Sequence, residues 1–296
     1  MSGPLVSVLT PSYNQARWLR DNLRSVACQS YPYIEQIVMD GGSADRSPAI
    51  LRHAGESVRW RSEPDRGQSH ALNKAFAESR GELIGWLNSD DAYFGPDAVA
   101  SVVELFKRRP EVDVVYGHAA LVNADGLILQ MIWVPPFSYR LFRLHNFIMQ
   151  PSVFVRRSAL SAFVADEAYD YAMDRELWLR LGREHRFARL DKVLAIDRHY
   201  PERKSYARPD LGRADTERLV AAYGVPHGRL AGAQRKALKI AFRLAGVRLL
   251  SAADGPLAFD GIRDSRRRLA LRQMLARRAA MPVGETSEQY LGRLVS

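Results

Sequence analysis

Along the first ninety residues, short apolar runs recur at regular intervals, and each is closed by a polar cluster. Leu5–Thr10, Ile34–Met39, Val58–Arg61 and Leu83–Leu87 are such runs, too short for helices and rich in Val, Ile and Leu. They predict strands. Between them the period lengthens to that of a helix. Trp18, Leu19, Leu23, Val26 and Ala27 share one face, a second helix ends near Leu51, and a third spans about His70–Ser79. Strand alternating with helix in this way predicts a parallel sheet wound with helices. The polar clusters that end the runs are Ser12-Tyr13, Asp40, Asp65 and Asp90-Asp91. In an open α/β sheet they would gather at the edge where ligands bind.

Beyond Pro96 the alternation loosens. A helix is predicted to Arg108 and a strand over Val112–Tyr116. A hairpin is predicted about Asn123-Ala-Asp-Gly126, another strand over Met149–Val155, and a short helix over Arg156–Phe163. Asp174–Arg183 reads as a helix and Arg186–Ile196 as a returning strand. These form a mixed region packed beside the parallel sheet, completing an acceptor pocket. After Arg208-Pro209 the pattern is helical only. The division expected is a catalytic domain over 1–205 and a basic helical region over 206–296.

Composition changes this picture little and charge changes it more. The chain has 296 residues, 47% of them hydrophobic, and one cysteine. That suits a soluble globular protein without an intramolecular disulfide, in a reducing compartment. Cys28 lies in an apolar helical pattern and reads as a small core residue. No signal peptide and no apolar run of bilayer length is present in the sequence, so a cytoplasmic location is expected. The net charge of +10 sits in the tail. Lys and Arg number 26 against 25 acids over residues 1–206, and 17 against 8 over 207–296. The basic pI is therefore no guide to the function of the first two hundred residues. On a helix over about 233–250, Arg235, Lys236, Lys239 and Arg243 share a sector, with Leu238, Ala241, Phe242, Ala245 and Leu249 opposite. Such a face packs on the protein's own body or lies on an anionic membrane surface, with contact through 233–280. Nucleic-acid binding is not expected, since no recognition motif accompanies the charge.

Asp90 and Asp91 carry the strongest chemical signal. Two adjacent carboxylates at the mouth of a buried strand are costly unless a positive charge meets them. Mg²⁺ or Mn²⁺, which takes one or two carboxylates together with phosphate oxygens, is the natural guest. A turn, or a cap for the helix near Gly95-Pro96-Asp97, is the plainer alternative.

Five stretches in order resemble the family 2 glycosyltransferases, whose catalytic domain has the GT-A fold: Val6–Asn14, Val38–Asp45, Asp65–Lys74, Gly85–Asp91 and Met173–Leu181. The resemblance covers about residues 4–205. It implies a mainly parallel, Rossmann-like α/β sheet flanked by helices and followed by a helical C-terminal extension. It also implies an inverting transfer of sugar from a nucleoside diphosphate, uridine-based, to a hydroxyl acceptor, in cell-surface glycan or glycolipid biosynthesis. By this resemblance Pro11, Ser12 and Tyr13 form the base pocket, Asp40 accepts from the base edge, and Asp65 and Gly67 lie near base and ribose. Asp90 contacts ribose or metal and Asp91 holds the Mn²⁺ or Mg²⁺. Asp174 corresponds to the base that takes the acceptor's proton, although an acid in a first helical turn also suits the helix dipole.

Gln150 and Trp178 correspond to donor or acceptor contacts, although Trp178, on an apolar helix face with Leu181, reads as core rather than as a sugar platform. Asn88 stands where many members have another Asp. Tyr200 stands where many have a metal-holding His; His199, one place early, is the candidate metal ligand in its stead, although a one-residue shift reverses facing on a strand. Arg198 and Lys204 are candidate diphosphate partners, while His70 and His118 read as structural or exposed. A sugar-nucleotide pyrophosphorylase is disfavoured, because no glycine-rich, Arg-containing loop follows the first strand. A catalytically silent nucleotide-sugar-binding or scaffold protein of the same fold is the alternative.

Overall fold

The computed structural model describes residues 3–161, 164–204, 209–238 and 240–241. Its centre is a nine-stranded sheet. Strands β1 (Val6–Ser12), β2 (Ile34–Asp40), β3 (Val58–Ser62) and β4 (Leu83–Trp86) are parallel, in the spatial order β3-β2-β1-β4. Helices α1 (Ala16–Ala27), α2 (Ser47–Leu51) and α3 (Gln68–Glu78) connect them. The apolar runs are unbroken because both faces of these strands are covered. On β1 and β4, Leu9, Ile84 and Trp86 enter one core cluster, while Val6, Val8, Leu83 and Leu87 enter a second on the opposite face.

Two-residue β5 (Ala92–Tyr93) and α4 (Ala98–Arg108) follow, then β6 (Val114–Val122) and β7 (Ile128–Ile132) as a hairpin. Next come α5 (Tyr139–Leu144), β8 (Val153–Arg156), α6 (Met173–Leu181) and β9 (Phe187–Arg198). β8 runs antiparallel between β4 and β6, β9 runs parallel to β6, and β5 closes that edge antiparallel to β9. This is the mixed, mainly parallel sheet expected.

Several elements differ from the sequence reading. Met149–Val155 is a strand only from Val153; Gln150–Ser152 is a 3-10 turn, because Pro151 brings no N–H to a ladder. The helix expected over Arg156–Phe163 is one 3-10 turn, Arg157–Ala159, with residues 162–163 outside the described ones. β6 runs on to Val122 and β9 to Arg198, which carries Asp197 to the sheet edge. α7 (Pro209–Tyr223) belongs to the helical tail, yet Leu219 and Val225 are buried in the same cluster as Trp86 and Leu177. The helix expected over 233–250 is present at 233–238 and 240–241, and the rest lies outside the described residues. There Arg235 leaves the basic sector assigned to it and donates to the Pro226 carbonyl at 2.9 Å, while Ala241 is exposed.

Candidate active site

The C-terminal ends of β1 to β4 open on one edge, and their loops are tied to one another. Ser12 pairs with Asp40 across the strands. Asn14 sits in the left-handed region (φ 53°), which lets its backbone N–H reach Ser43 Oγ at 2.7 Å and its side chain accept from Ala44 N at 3.0 Å. Asp40 is buried, accepting from Ser43 N (2.9 Å), Ser43 Oγ (2.5 Å) and Ser62 Oγ (2.6 Å). Its carboxylate thereby fixes the exits of β2 and β3. Asp65 accepts from Gly67 N at 2.8 Å, and a Cβ on Gly41 would lie 2.8 Å from its other oxygen. Gly67 itself has φ +115°, a conformation open to glycine. Tyr13 is 62% exposed, an aromatic face free for a planar ring. Ser12 Oγ is buried with no partner among the described residues, and its hydroxyl can bond a polar ligand atom.

At the β4 exit Asn88 is a hub. Its Oδ1 accepts from Gln68 (2.8 Å) and from the Trp86 indole (2.7 Å), and its Nδ2 donates to Gln150 Oε1 (2.9 Å). An aspartate could not make the last bond without a proton, so the departure from the family's usual residue has a local structural use. Gln150 also donates to the Trp86 carbonyl at 2.6 Å, which locks α3, β4 and the turn before β8 together. Asn22 donates to the carbonyls of Asn88 and Asp91 at 2.8 and 3.0 Å and holds the acidic turn from below.

Asp90 and Asp91 form that turn, and Asp197, on β9, acts on Asp91 through its charge. Asp91 is buried and accepts from Arg198 N at 3.0 Å. Burial, reinforced by the charges of Asp90 and Asp197, drives its proton affinity well above the usual carboxylate range, with Arg203 opposing. Asp197 goes the other way. Burial raises it, but the His199 ring (3.5 Å) and the Arg203 guanidinium (2.5 Å) outweigh that and hold it ionised. Asp90 takes the Tyr200 hydroxyl on Oδ2 at 2.7 Å, and Tyr200 in turn accepts from Gln15 and packs on Trp18 with ring centroids 4.2 Å apart.

His199, expected as a metal ligand, therefore pairs with Asp197, and it is Tyr200 that reaches the acidic pair. β9 ends at Arg198, so strand alternation does not carry past it. Arg198 is also not placed for a diphosphate, since its guanidinium is buried against Asp21 (2.6 Å) and the Asp90 carbonyl (2.9 Å). Lys204 pairs with Asp170 at 2.5 Å.

The donor set fits a hard divalent cation. Asp90 Oδ1 has no partner among the described residues, and Asp91 Oδ2 has only Asn88 Nδ2 at 3.5 Å. Among the described residues no cluster of three or more His, Cys, Asp or Glu forms a metal cage. Two carboxylates completed by phosphate oxygens remain the arrangement these residues suit.

Asp174 lies in the first turn of α6. It accepts from Asn146 at 3.4 Å, and burial raises its pKa, an effect that the Arg175 backbone, Asn146 and the charges of Arg175 and Arg203 offset only in part. Arg203 feels Asp197, Asp91 and Asp90 and also acts on Asp174, so one guanidinium links both sides of the site. Gln68 and Ser69 supply the mechanical link: Gln68 holds Asn88, and Ser69 Oγ donates to the Tyr169 carbonyl (3.1 Å) and to Met173 Sδ (3.3 Å).

Trp178 does not belong to the site. It is 1% exposed within the core, on the buried face of α6, so its ring offers no sugar platform. His118 is also structural: Val134 N donates to its Nδ1 (3.1 Å), which leaves Nε2 to donate to Asp191 (2.8 Å). His70 accepts from Arg66 N at 3.3 Å. Sequence reasoning missed Arg203, Tyr200, Asp197 and Asn146 as members of the site. Asp197 and Tyr200 stand in the run 197–201 already singled out, whereas nothing in spacing marks Arg203 or Asn146.

Residues 7–163 match the model of Glycosyl transferase family 2, and the chain belongs to that family. It is 35% identical over 185 residues to an uncharacterized glycosyltransferase of Mycobacterium tuberculosis, covering 60% of this chain and 69% of that one. It is 29% identical over 194 residues to one of Rickettsia typhi, covering 61% and 59%. Its fold is that of Staphylococcus aureus TarS 1–349 in complex with UDP-GlcNAc (TM-score 0.58, 17% identity, 93% of this chain and 81% of that one). The mannosyltransferase PcManGT of Pyrobaculum calidifontis, in complex with GDP-Man and Mn²⁺, shares it (TM-score 0.55, 20% identity, 99% and 86%). The protein is thus a glycosyltransferase of GT-A fold. Among the described residues no helix is long and apolar enough to cross a membrane.

Proposed function

We propose that this glycosyltransferase moves a sugar, with inversion, from a uridine diphosphate donor to a hydroxyl acceptor, using Asp174 as base. The observation that carries the reading is the placement of Asp174. Its carboxyl has raised proton affinity, and Arg203 interacts electrostatically both with it and with the acidic turn. Tyr13 and the unpartnered Ser12 hydroxyl receive the base and ribose beside Asp40 and Asp65, as the UDP-GlcNAc and GDP-Man complexes of the structural neighbours support for a nucleotide-sugar donor. Asp91 and Asp90 would hold Mg²⁺ or Mn²⁺, which when bound offsets charge on the diphosphate.

Asp174 takes the acceptor hydroxyl's proton as that oxygen bonds to the anomeric carbon. The bond from that carbon to the diphosphate oxygen breaks, and the electron pair leaves with the nucleoside diphosphate. Arg203 would meet the growing negative charge, exchanging part of its bond to Asp197 for a phosphate oxygen. Asp174 must be ionised to act, and its pKa is raised. The rate therefore falls as pH drops through that raised value, earlier than an ordinary Asp would require.

The test is nucleotide release from a panel of sugar nucleotides by the full chain with Mn²⁺ and a hydroxyl acceptor. Release from a uridine-linked donor is expected. Tight nucleotide binding with no release from any donor would point instead to a catalytically silent binding protein. The acceptor class we infer is a growing cell-envelope glycan, lipid-linked at the inner face of a bacterial plasma membrane; an O-antigen biosynthesis protein of Myxococcus xanthus is 30% identical over 185 residues, though this covers 14% of its length. In support, Leu230 and Ile240 are 74% and 51% exposed beside Arg229 and Lys236. Cosedimentation with anionic but not neutral vesicles is expected, and equal cosedimentation with both contradicts it.

A further inference from the structure

α6 lacks a local cap. Its N-cap residue is Ala172, and no side chain of the preceding segment accepts from its first turn. The segment that leads into the helix is anchored instead from α7, in the tail. Asp215 Oδ2 takes three successive backbone N–H groups, those of Asp170 (3.0 Å), Tyr171 (2.7 Å) and Ala172 (2.9 Å). The chain is wound around one carboxylate oxygen, an anion nest built from this protein's own residues. Asp215 is 1% exposed. Its other oxygen receives Arg218 Nη1 at 3.1 Å, and the same nitrogen donates to the Ala168 carbonyl at 2.6 Å. Further bonds hold α7 in place: Tyr223 Oη donates to Glu176 (2.5 Å), and Arg183 donates to the Ala222 carbonyl (2.9 Å).

Asp174 follows Ala172 by two residues. The direction in which the backbone enters α6 decides where that carboxyl points, and the nest fixes this entry. The same segment is held from the other side, where Ser69 binds the Tyr169 carbonyl and Asn73 binds Ala165 through its carbonyl (2.8 Å) and N–H (3.0 Å). Residues 164–172 are thus a strap between the donor-side helix α3 and α7.

We infer that Asp215 is a positioning residue for the reaction, aiming Asp174 through the backbone of residues 170–172, and hence that the helical tail is part of the catalytic apparatus. This rests on the reading of Asp174 as the base. It also supplies a reason for the entry to be tied by a remote carboxylate. A local Ser or Asp at residue 172 would satisfy the helix, but would leave the strap untied from α7.

The experiment uses the full chain carrying Asp215→Asn, which removes charge while keeping size, and Asp215→Glu, which keeps charge and displaces the oxygen. Rates at saturating donor, nucleotide affinity by calorimetry and folded fraction are read together. Both variants are expected to lose about 10²-fold in kcat per folded molecule, the scale of a misplacement of about 1 Å, with UDP affinity changed by less than about twofold. The acidic limb of the kcat–pH profile should move as well, since Asp174 would face Arg175, Arg203 and Asn146 at altered distances. An unmoved limb with unchanged kcat per folded molecule overturns the inference, as does an equal loss of binding and rate. If the wild type transfers no sugar, it is the base reading that fails. The positioning claim is then read separately from ¹³C titration of the Asp174 carboxyl and amide exchange at 170–172. Both should change in Asp215→Asn, and no change in either overturns it.

Discussion

Asp174→Asn is expected to lower turnover by about 10²–10⁴-fold, the usual contribution of a positioned base, while nucleotide affinity stays within about twofold of wild type. The asymmetry follows from geometry. The groups proposed to receive the nucleotide (Tyr13, Ser12, Asp40 and Asp65) belong to the exits of β1 to β3, and Asp174 makes no bond to any of them. Its one side-chain hydrogen-bond partner among the described residues is Asn146, and asparagine can keep a hydrogen bond to it. The substitution also removes a carboxyl whose ionised form is disfavoured by burial. The folded state should be no less stable than wild type near neutral pH, and a loss of rate is then not a loss of protein. Initial rates and calorimetry on the same preparation check both halves. Equal loss of affinity and rate would mean that Asp174 shapes the donor pocket and does not act on the acceptor.

Asp91→Asn should separate stability from function in the opposite sense to most substitutions. In the folded chain the Asp91 pKa is raised by burial and by Asp90 and Asp197. A carboxyl raised in this way contributes stability fully below its unfolded-state value and loses it as pH rises through the folded value. Near neutral pH the ionised, buried carboxylate therefore opposes folding unless a cation or Arg203 meets it. Replacing it by the neutral isostere should raise Tm in the absence of ligand by at least about 2 °C, the shift that roughly 1 kcal/mol gives a domain of this size. The fall of Tm between acid and neutral pH should shrink as well. The same substitution should abolish the stabilisation that UDP with Mn²⁺ gives the wild type. A lower Tm for Asp91→Asn at neutral pH would show that its bond from Arg198 N, at 3.0 Å, outweighs the charge repulsion.

The half of the site supplied by β1 to β4 was legible because strands covered on both faces write unbroken apolar runs, and each run stops where the polar edge begins. Asp40, Asp65, Asp90 and Asp91 could be located from that alone, before any resemblance was invoked. The other half was not. β5 has two residues and thus no period to detect, and α5 is a six-residue helix whose start is set by Ser138 accepting from Leu141 N.

Trp178 reads as core in preference to ligand and is core, yet it remains a candidate contact in the sequence because a helical face says what is apolar but not which neighbour covers it. His199 and Tyr200 could not be distinguished by strand parity, since the strand ends one residue earlier. Arg203 and Asp215 were invisible for a deeper reason. Their roles arise from contacts with Asp91, Asp197 and residues 170–172 that no local pattern encodes. Across the boundary expected at 205, Asp215 bonds to Ala172 and Leu219 packs in the same cluster as Leu177, contacts that the extent of the resemblance and the helical pattern beyond Pro209 do not reveal.

The central claim is that one nucleotide–cation complex at the β1–β4 edge faces Asp174 across the space of a sugar. Paramagnetic broadening by Mn²⁺, added with UDP to protein carrying ¹³C-labelled aspartate, measures that directly. Strong broadening of Asp90 and Asp91, weaker but clear broadening of Asp174, and none without UDP is the predicted result. Broadening confined to surface carboxylates, or an Asp174 signal untouched while Asp91 is lost, would contradict it.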